Sequence, residues 1–363
     1  MKKYLMMSAA VVAVLSMSCS KIEDTSVEQE IGFAVASYVP QTKAGELSIR
    51  TVDGVDAFKC KAFLHSNGAA VGTDYFGPSG ETITYNDSDA AWKPSHPYYW
   101  PKHPQSYINF VSWYDKNGAP GTATETAMIW ENRTIAADDN IMFADEAWRF
   151  KNNDSAVYKQ DGVTAGVPTL FHHALAKVKI QFNASPLVDP ADNKSTFEVT
   201  LQKVTLKSVH KQGTLSLHNS APSTTQPQQK AWTADATNYF WSATDTASDT
   251  EIVNSNTALT AGFNALFAQQ SVLPQQVTDD MVLEIKYGIT INYNGTTMLA
   301  ETNIPASIQM NTLKNGSGVA IADWLPNKIY TYSITINPIT DQILIDPAID
   351  ADWATENVTA TIE

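Results

Sequence analysis

Cys19 carries the clearest chemistry in this chain. It follows Ser16-Met17-Ser18 at the end of an apolar run over residues 6–15, which includes Ala9, Ala10 and Ala13, and Lys2 and Lys3 precede that run. A basic start, a short apolar stretch and small residues make a secretory signal peptide over residues 1–18. The apolar stretch is too short to cross a hydrocarbon core of about 30 Å as a finished helix. A thiol placed there resembles a lipobox, in which the sulfur is acylated and the cysteine becomes the new N-terminus. Leucine usually stands three residues before such a cysteine; here Ser16 holds that place and Leu15 lies one step further out. The competing reading is an ordinary signal peptide followed by a chance cysteine. Ser20-Lys21-Ile22-Glu23-Asp24 then forms a charged tether that resembles a lipoprotein surface-export signal. Lys43 and Arg50 offer a second kind of chemistry. They lie in a polar stretch with Gly45, where a trypsin-like protease can bind an extended chain.

Catalytic and metal chemistry finds little support. His172-His173 is the sole adjacent histidine pair. On a strand, neighbouring side chains point to opposite faces, so the two could not ligate one metal. His96 and His103 flank Pro97 and Pro101 without nearby carboxylates. Asp138-Asp139-Asn140 and Asp145-Glu146 form an acidic patch. A calcium loop needs several oxygens in a tight turn, and no Asp-x-Asp-x-Asp-Gly run occurs, so the patch reads as a solvated turn. There is no Gly-x-Ser-x-Gly elbow, no His-Glu-x-x-His and no phosphate loop. Paired carboxylates for glycoside hydrolysis are set by fold and not by spacing, so they stay open. Trp92, Tyr98, Tyr99, Trp100 and Trp113 could stack on sugars, or serve as core and edge packing. Cys60 is alone once Cys19 is spent on lipid, so no internal disulfide is available and Cys60 reads as a buried, inert thiol. The expectation is no enzyme, no metal and no cofactor.

These residues must be held by strands. The chain has 363 residues, 43% hydrophobic and 17% charged, which supplies two cores under a surface rich in neutral polar groups. Its net charge of −14 comes without a basic run longer than two residues, so nucleic acid is not a partner. Period-two alternation marks strands at residues 82–85, 107–111, 177–182, 197–207, 282–293 and 330–336. Turn clusters at Asn67-Gly68, residues 77–80, Asn117-Gly118, Asn294-Gly295 and Asn315-Gly316 separate them. Asn294-Gly295 between two alternating runs is a strong hairpin signal. Short strands with regular turns and no amphipathic helix predict an all-β chain of β-sandwiches. Residues 219–238, rich in Ser, Thr, Gln and Pro, predict a long exposed loop. The polar, Gly-containing stretch 151–168 places a domain boundary near residue 165.

Several stretches together resemble the fimbrillin family of the Bacteroidetes, the subunits and minor components of type V pili. They are Ile31-Gly32-Phe33 with Gln41-Thr42-Lys43-Ala44; Trp100-Pro101 before Ile108-Asn109-Phe110-Val111-Ser112-Trp113-Tyr114; Asp139-Asn140-Ile141-Met142-Phe143-Ala144; Phe171-His172-His173-Ala174-Leu175-Ala176-Lys177-Val178-Lys179-Ile180; and Pro326-Asn327-Lys328-Ile329-Tyr330-Thr331-Tyr332-Ser333-Ile334. Their shared order carries the likeness across nearly the whole chain. The resemblance implies two transthyretin-like β-sandwich domains in tandem, over residues 44–165 and 166–363, after a signal peptide (1–18) and a lipidated, removable segment (19–43). It implies an outer-membrane lipoprotein precursor, lipidated at Cys19 and trimmed at the cell surface by a Lys/Arg-specific protease at Lys43 or Arg50. Lys43 stands where the family often has Arg. Loss of the first strand would open a groove that a strand of the next subunit fills, which is strand addition at a sheet edge.

The residues support that scheme in their own terms. Ile31, Phe33 and Val35 alternate on one face, as do Val358, Ala360 and Ile362 in the expected donor strand, residues 357–363. Burying three such side chains contributes roughly 4–8 kcal/mol before chain entropy is charged. The implied partners are other copies of the chain or sibling pilins, the protease, the outer membrane through the lipid, and a host or bacterial surface receptor. A surface glycan-binding lipoprotein of a nutrient-uptake system, using the aromatics around Trp100, is the alternative; a hydrolase with an unrecognised site is a third.

Overall fold

The computed structural model describes residues 30–37, 55–89, 91–103, 105–150, 166–219, 229–235, 241–315, 317–340 and 342–350. Among them there is no α-helix, only single 3-10 turns at Ser66–Gly68 and Met310–Thr312, so the expected all-β class is the observed one. The principal strands of the first half are β1 (Phe33–Ser37), β2 (Ala57–His65), β3 (Glu81–Asn86), β4 (Ala91–Pro94), β5 (Tyr107–Asp115), β6 (Ala127–Thr134), β7 (Ile141–Ala144) and β8 (Glu146–Phe150). Those of the second half are β9 (Val167–His173), β10 (Ala176–Ala184), β11 (Ser195–Val209), β12 (Gln212–His218), β13 (Ser248–Val253), β14 (Asn264–Val272), β15 (Val282–Tyr293), β16 (Thr296–Gln309), β17 (Ile329–Asn337) and β18 (Gln342–Asp350).

The alternating sequences become one-sided strands. In β10, Val178, Ile180 and Phe182 are buried while Lys177, Lys179 and Gln181 lie on the other face. In β17 the same holds for Tyr330, Tyr332, Ile334 and Ile336 against Thr331, Ser333 and Thr335. β15 and β16 form the long hairpin signalled by Asn294-Gly295, with Tyr293 opposite Thr296. Both turn residues take positive φ, 47° and 78°. A tight I′ turn requires that pair of angles, and Asn-Gly adopts it at little cost.

In the first half the strands β1, β4, β3, β2, β5, β7 and β9 pair in that order, and β9 pairs back to β1. The result is a closed ring around one buried cluster that contains Ile31, Phe33, Val35, Phe58, Trp92, Phe110 and Phe171. β5 departs from simple alternation, because residues 107–113 are buried on both faces. Ile108 and Phe110 face the ring interior, whereas Val111 and Trp113 belong to a second cluster with Trp130, Leu215, Leu217 and Trp241. The third and largest cluster lies under β10, β11, β15 and β17. Strands from both sides of residue 165 share sheets: β9 pairs with β7 and β1, and β12 pairs with β6.

Residues 219–238 correct an expectation. Their described part packs onto the fold instead of forming an exposed loop. Gln229 and Lys230 pair with β8, Thr233 and Ala234 pair with β12, and Trp232 is buried with its indole N–H donating to the Ala144 carbonyl at 2.8 Å. The indole supplies apolar area that the polar composition of the segment conceals.

Candidate functional site: the cradle of the first strand

β1 begins from a short alternating sequence and gains its definition from what surrounds it. Ile31, Phe33 and Val35 are 0%, 4% and 0% exposed, so the whole apolar face is used. β1 runs parallel to β9, from Phe33 opposite Val167 to Ser37 opposite Phe171. On its other side it meets β4 at Phe33 and Trp92, and Glu30 bridges Tyr99. The N–H of Ile31 donates to the Tyr98 carbonyl at 2.8 Å, and that of Val167 donates to the Gly32 carbonyl at 2.8 Å. Without β1 these backbone groups lose their partners, which costs about 1–3 kcal/mol for each buried group.

The middle position is the most demanding. The Phe33 ring meets Phe58 and Phe110 edge-on, with centroids 5.8 Å and 5.6 Å away. Phe58 in turn packs on Trp92 at 5.5 Å and Phe171 at 5.1 Å. Such edge-to-face pairs add to the area buried. Gly166 lets β1 approach: a Cβ there would lie 2.8 Å from the Phe33 carbonyl carbon and 2.9 Å from the Ala34 nitrogen. Glycine is required by close backbone contact here.

The rim is aromatic and charged. Tyr98 packs on Phe76 at 4.4 Å and donates to Glu81 at 2.9 Å. Burial, together with that carboxylate, pushes the Tyr98 hydroxyl up to about 12. Lys93 bonds Asp89 at 2.8 Å and Glu30 at 2.9 Å, and these two carboxylates raise its pKa. Glu30 therefore ties the start of β1 to β4. Lys93, Phe58, Phe171 and Gly166 carry no local sequence signal for this role; their shared location comes from long-range pairing.

Of the residues singled out by sequence, Ile31, Phe33 and Val35 come together in this cradle. Cys19, Lys43, Arg50, Val358, Ala360 and Ile362 lie outside the described residues. Cys60 is fully buried, and burial pushes its thiol up to about 12. The two adjacent histidines diverge: His172 pairs with Asp145 at 2.9 Å and His173 with Asn140 at 3.2 Å. The acidic patch departs from the expected solvated turn. Asp139 and Glu146 are buried, because Arg133 and Asn117 meet Asp139 and the amides of Asn109 and Asn219 donate to Glu146. Among the aromatics considered for sugar stacking, Trp92 and Trp113 are buried and Tyr99 is 39% exposed.

Residues 42–353 match the family model described as fimbrillin-like. The chain belongs to the fimbrillin-like family. The match begins after β1 and ends before residue 357, so the cradle's occupant and the expected donor both lie outside it. No curated protein matches this fimbrillin-like chain. Among solved structures it is similar to a fimbrial protein from Bacteroides vulgatus ATCC 8482, at 14% identity and a TM-score of 0.48, covering 90% of this chain and 99% of that one. It is also similar to a candidate cell adhesion protein from Bacteroides uniformis ATCC 8492, at 14% identity and a TM-score of 0.46 over 90% and 99% of the two chains. A third, from Bacteroides ovatus ATCC 8483, shares 15% identity with a TM-score of 0.39 over 91% and 100%.

Proposed function

We propose that this fimbrillin-like chain is a structural and adhesive subunit of a cell-surface fimbria, assembled by donor-strand exchange. It is exported as a lipoprotein precursor acylated at Cys19. Cleavage after Lys43 or Arg50 then separates β1 from the rest of the chain, and a donor strand of another subunit, the part that residues 357–363 play in this chain, enters the vacated cradle. The observation that carries this reading is the place of β1: one short strand closes the ring of the first half, with all three apolar side chains buried. The basic residues Lys43 and Arg50 stand in the chain between β1 and β2, where a cut releases the strand and spares the ring's other members. Family membership supports the fimbrial assignment.

Mass spectrometry of surface material, combined with electron microscopy of filaments, tests it. Subunits in filaments should begin at Ala44 or Thr51. Filaments built only from chains that begin at Cys19 would remove the trimming step, and with it the vacated cradle. The alternative of glycan binding rests on Tyr98, Tyr99 and Trp100, since Trp92 and Trp113 are spent on packing.

A further inference from the structure

We propose that the cradle selects a donor strand with an aromatic residue at its middle position and β-branched residues two places on either side, so that its tight partner is a sibling subunit and not another copy of this chain. The inference rests on the donor-strand reading above. β1 itself is the template for the occupant: Ile31, Phe33 and Val35 define two outer sites of branched aliphatic size and one central site walled by Phe58 and Phe110. The chain's own candidate, Val358, Ala360 and Ile362, has the same spacing. In either direction of insertion Ala360 falls at the Phe33 site. An alanine there leaves a void the size of a phenyl ring, and interiors relax only partly around such voids.

Other registers do not repair this. A slip of two residues that centres Val358 brings Glu356 into an outer site, where an unpaired charge is costly. The slip that centres Ile362 brings Ala360 into an outer site of branched aliphatic size, which a methyl group does not fill. The frame Ala351, Trp353 and Thr355 has an aromatic at its centre. It begins immediately after Asp350, which is paired with Ile329 in β18 of its own fold. Its Ala351 falls short of the branched aliphatic size that Ile31 and Val35 set for an outer site.

The test uses full-length protein cut by a Lys/Arg-specific protease, with exchange of labelled peptides followed by fluorescence anisotropy. The peptide of residues 30–37 should bind, and its Phe33→Ala form should bind at least tenfold more weakly. The peptide of residues 357–363 should bind weakly, and Ala360→Phe should tighten it at least tenfold. Equal or weaker binding by the Ala360→Phe peptide, while the 30–37 peptide binds, overturns the selection rule and leaves the donor-strand reading standing. Failure of the 30–37 peptide to exchange overturns both. A whole-chain check follows the same logic: trimmed Ala360→Phe protein should form filaments faster than trimmed wild type, and equal rates count against the proposal.

Discussion

His65 is fully buried at the end of β2, yet both its ring nitrogens face acceptors. Nδ1 lies 2.8 Å from the Ala69 carbonyl and Nε2 meets the Glu125 carboxylate. Only the imidazolium can donate at both positions. Burial opposes that charge, but Glu125, the Ala69 carbonyl and the field of Glu146 outweigh it and raise the His65 pKa. A raised folded-state pKa contributes stability that is complete below the ordinary histidine value of about 6.5 and is lost as pH rises through the folded value. Glu125→Gln should therefore cost more stability at pH 6 than at pH 8, measured by chemical denaturation; equal costs at both would refute the charged pair. Arg133 is a second such residue. It reaches Asp115 at 3.0 Å and Asp139 at 3.2 Å, and both carboxylates are fully buried. Arg133→Met should lose about 3–5 kcal/mol, because two buried charges lose their partner. Arg133→Lys should recover only part, since an ammonium lacks the fork that spans both. Equal stability of wild type and Arg133→Met would show that Asp115 and Asp139 do not depend on it.

At the scale of the element, β1 is short and holds its place through its neighbours. A five-residue strand has little stability of its own, and β1 meets β4 at a single residue pair. Its anchorage is side-chain burial, the parallel ladder to β9 and the ion pair of Glu30 with Lys93. Phe33→Ala should lower the unfolding free energy of the uncut precursor by about 3–5 kcal/mol. The same substitution should leave a trimmed and purified subunit unchanged, because the strand is gone. A precursor unaffected by Phe33→Ala would mean that the central site collapses around the smaller side chain. β5 is the complementary case. Ile108 and Phe110 wall the ring while Val111 and Trp113 wall the next cluster, so one strand serves two cores.

At the scale of the molecule, residues 30–37 and 357–363 both fall outside the family match over residues 42–353. Val358→Asp or Ile362→Asp should abolish homotypic filaments by bringing a charge into the apolar cradle. Under the donor-strand proposal, denaturant midpoints of the monomer should stay at the wild-type value, because the altered residue would act in a neighbour. Normal filaments from both variants would transfer the donor role elsewhere in the chain.

Alternation marked several of the strands that bury one face and wet the other, although β12, which alternates just as cleanly, was not among them. It identified β10, β15 and β17, the Asn294-Gly295 hairpin and the apolar face of Ile31, Phe33 and Val35. Period two reports which side chains share a face, and local turn chemistry reports where a hairpin closes. Neither reports which strand lies alongside. That β1 runs parallel to β9, that β12 joins β6, and that Trp232 pins a polar segment onto the Ala144 carbonyl depend on contacts between distant parts of the chain. The burial of Asp139 is the same kind of fact, since the sequence shows only an acidic turn while Arg133 arrives from another strand. The sequence by itself determined the alternating strands named above, the hairpin and the apolar face of β1; tertiary structure alone decided the depth of the site that face fills, because a pocket is made of side chains whose adjacency no local pattern encodes.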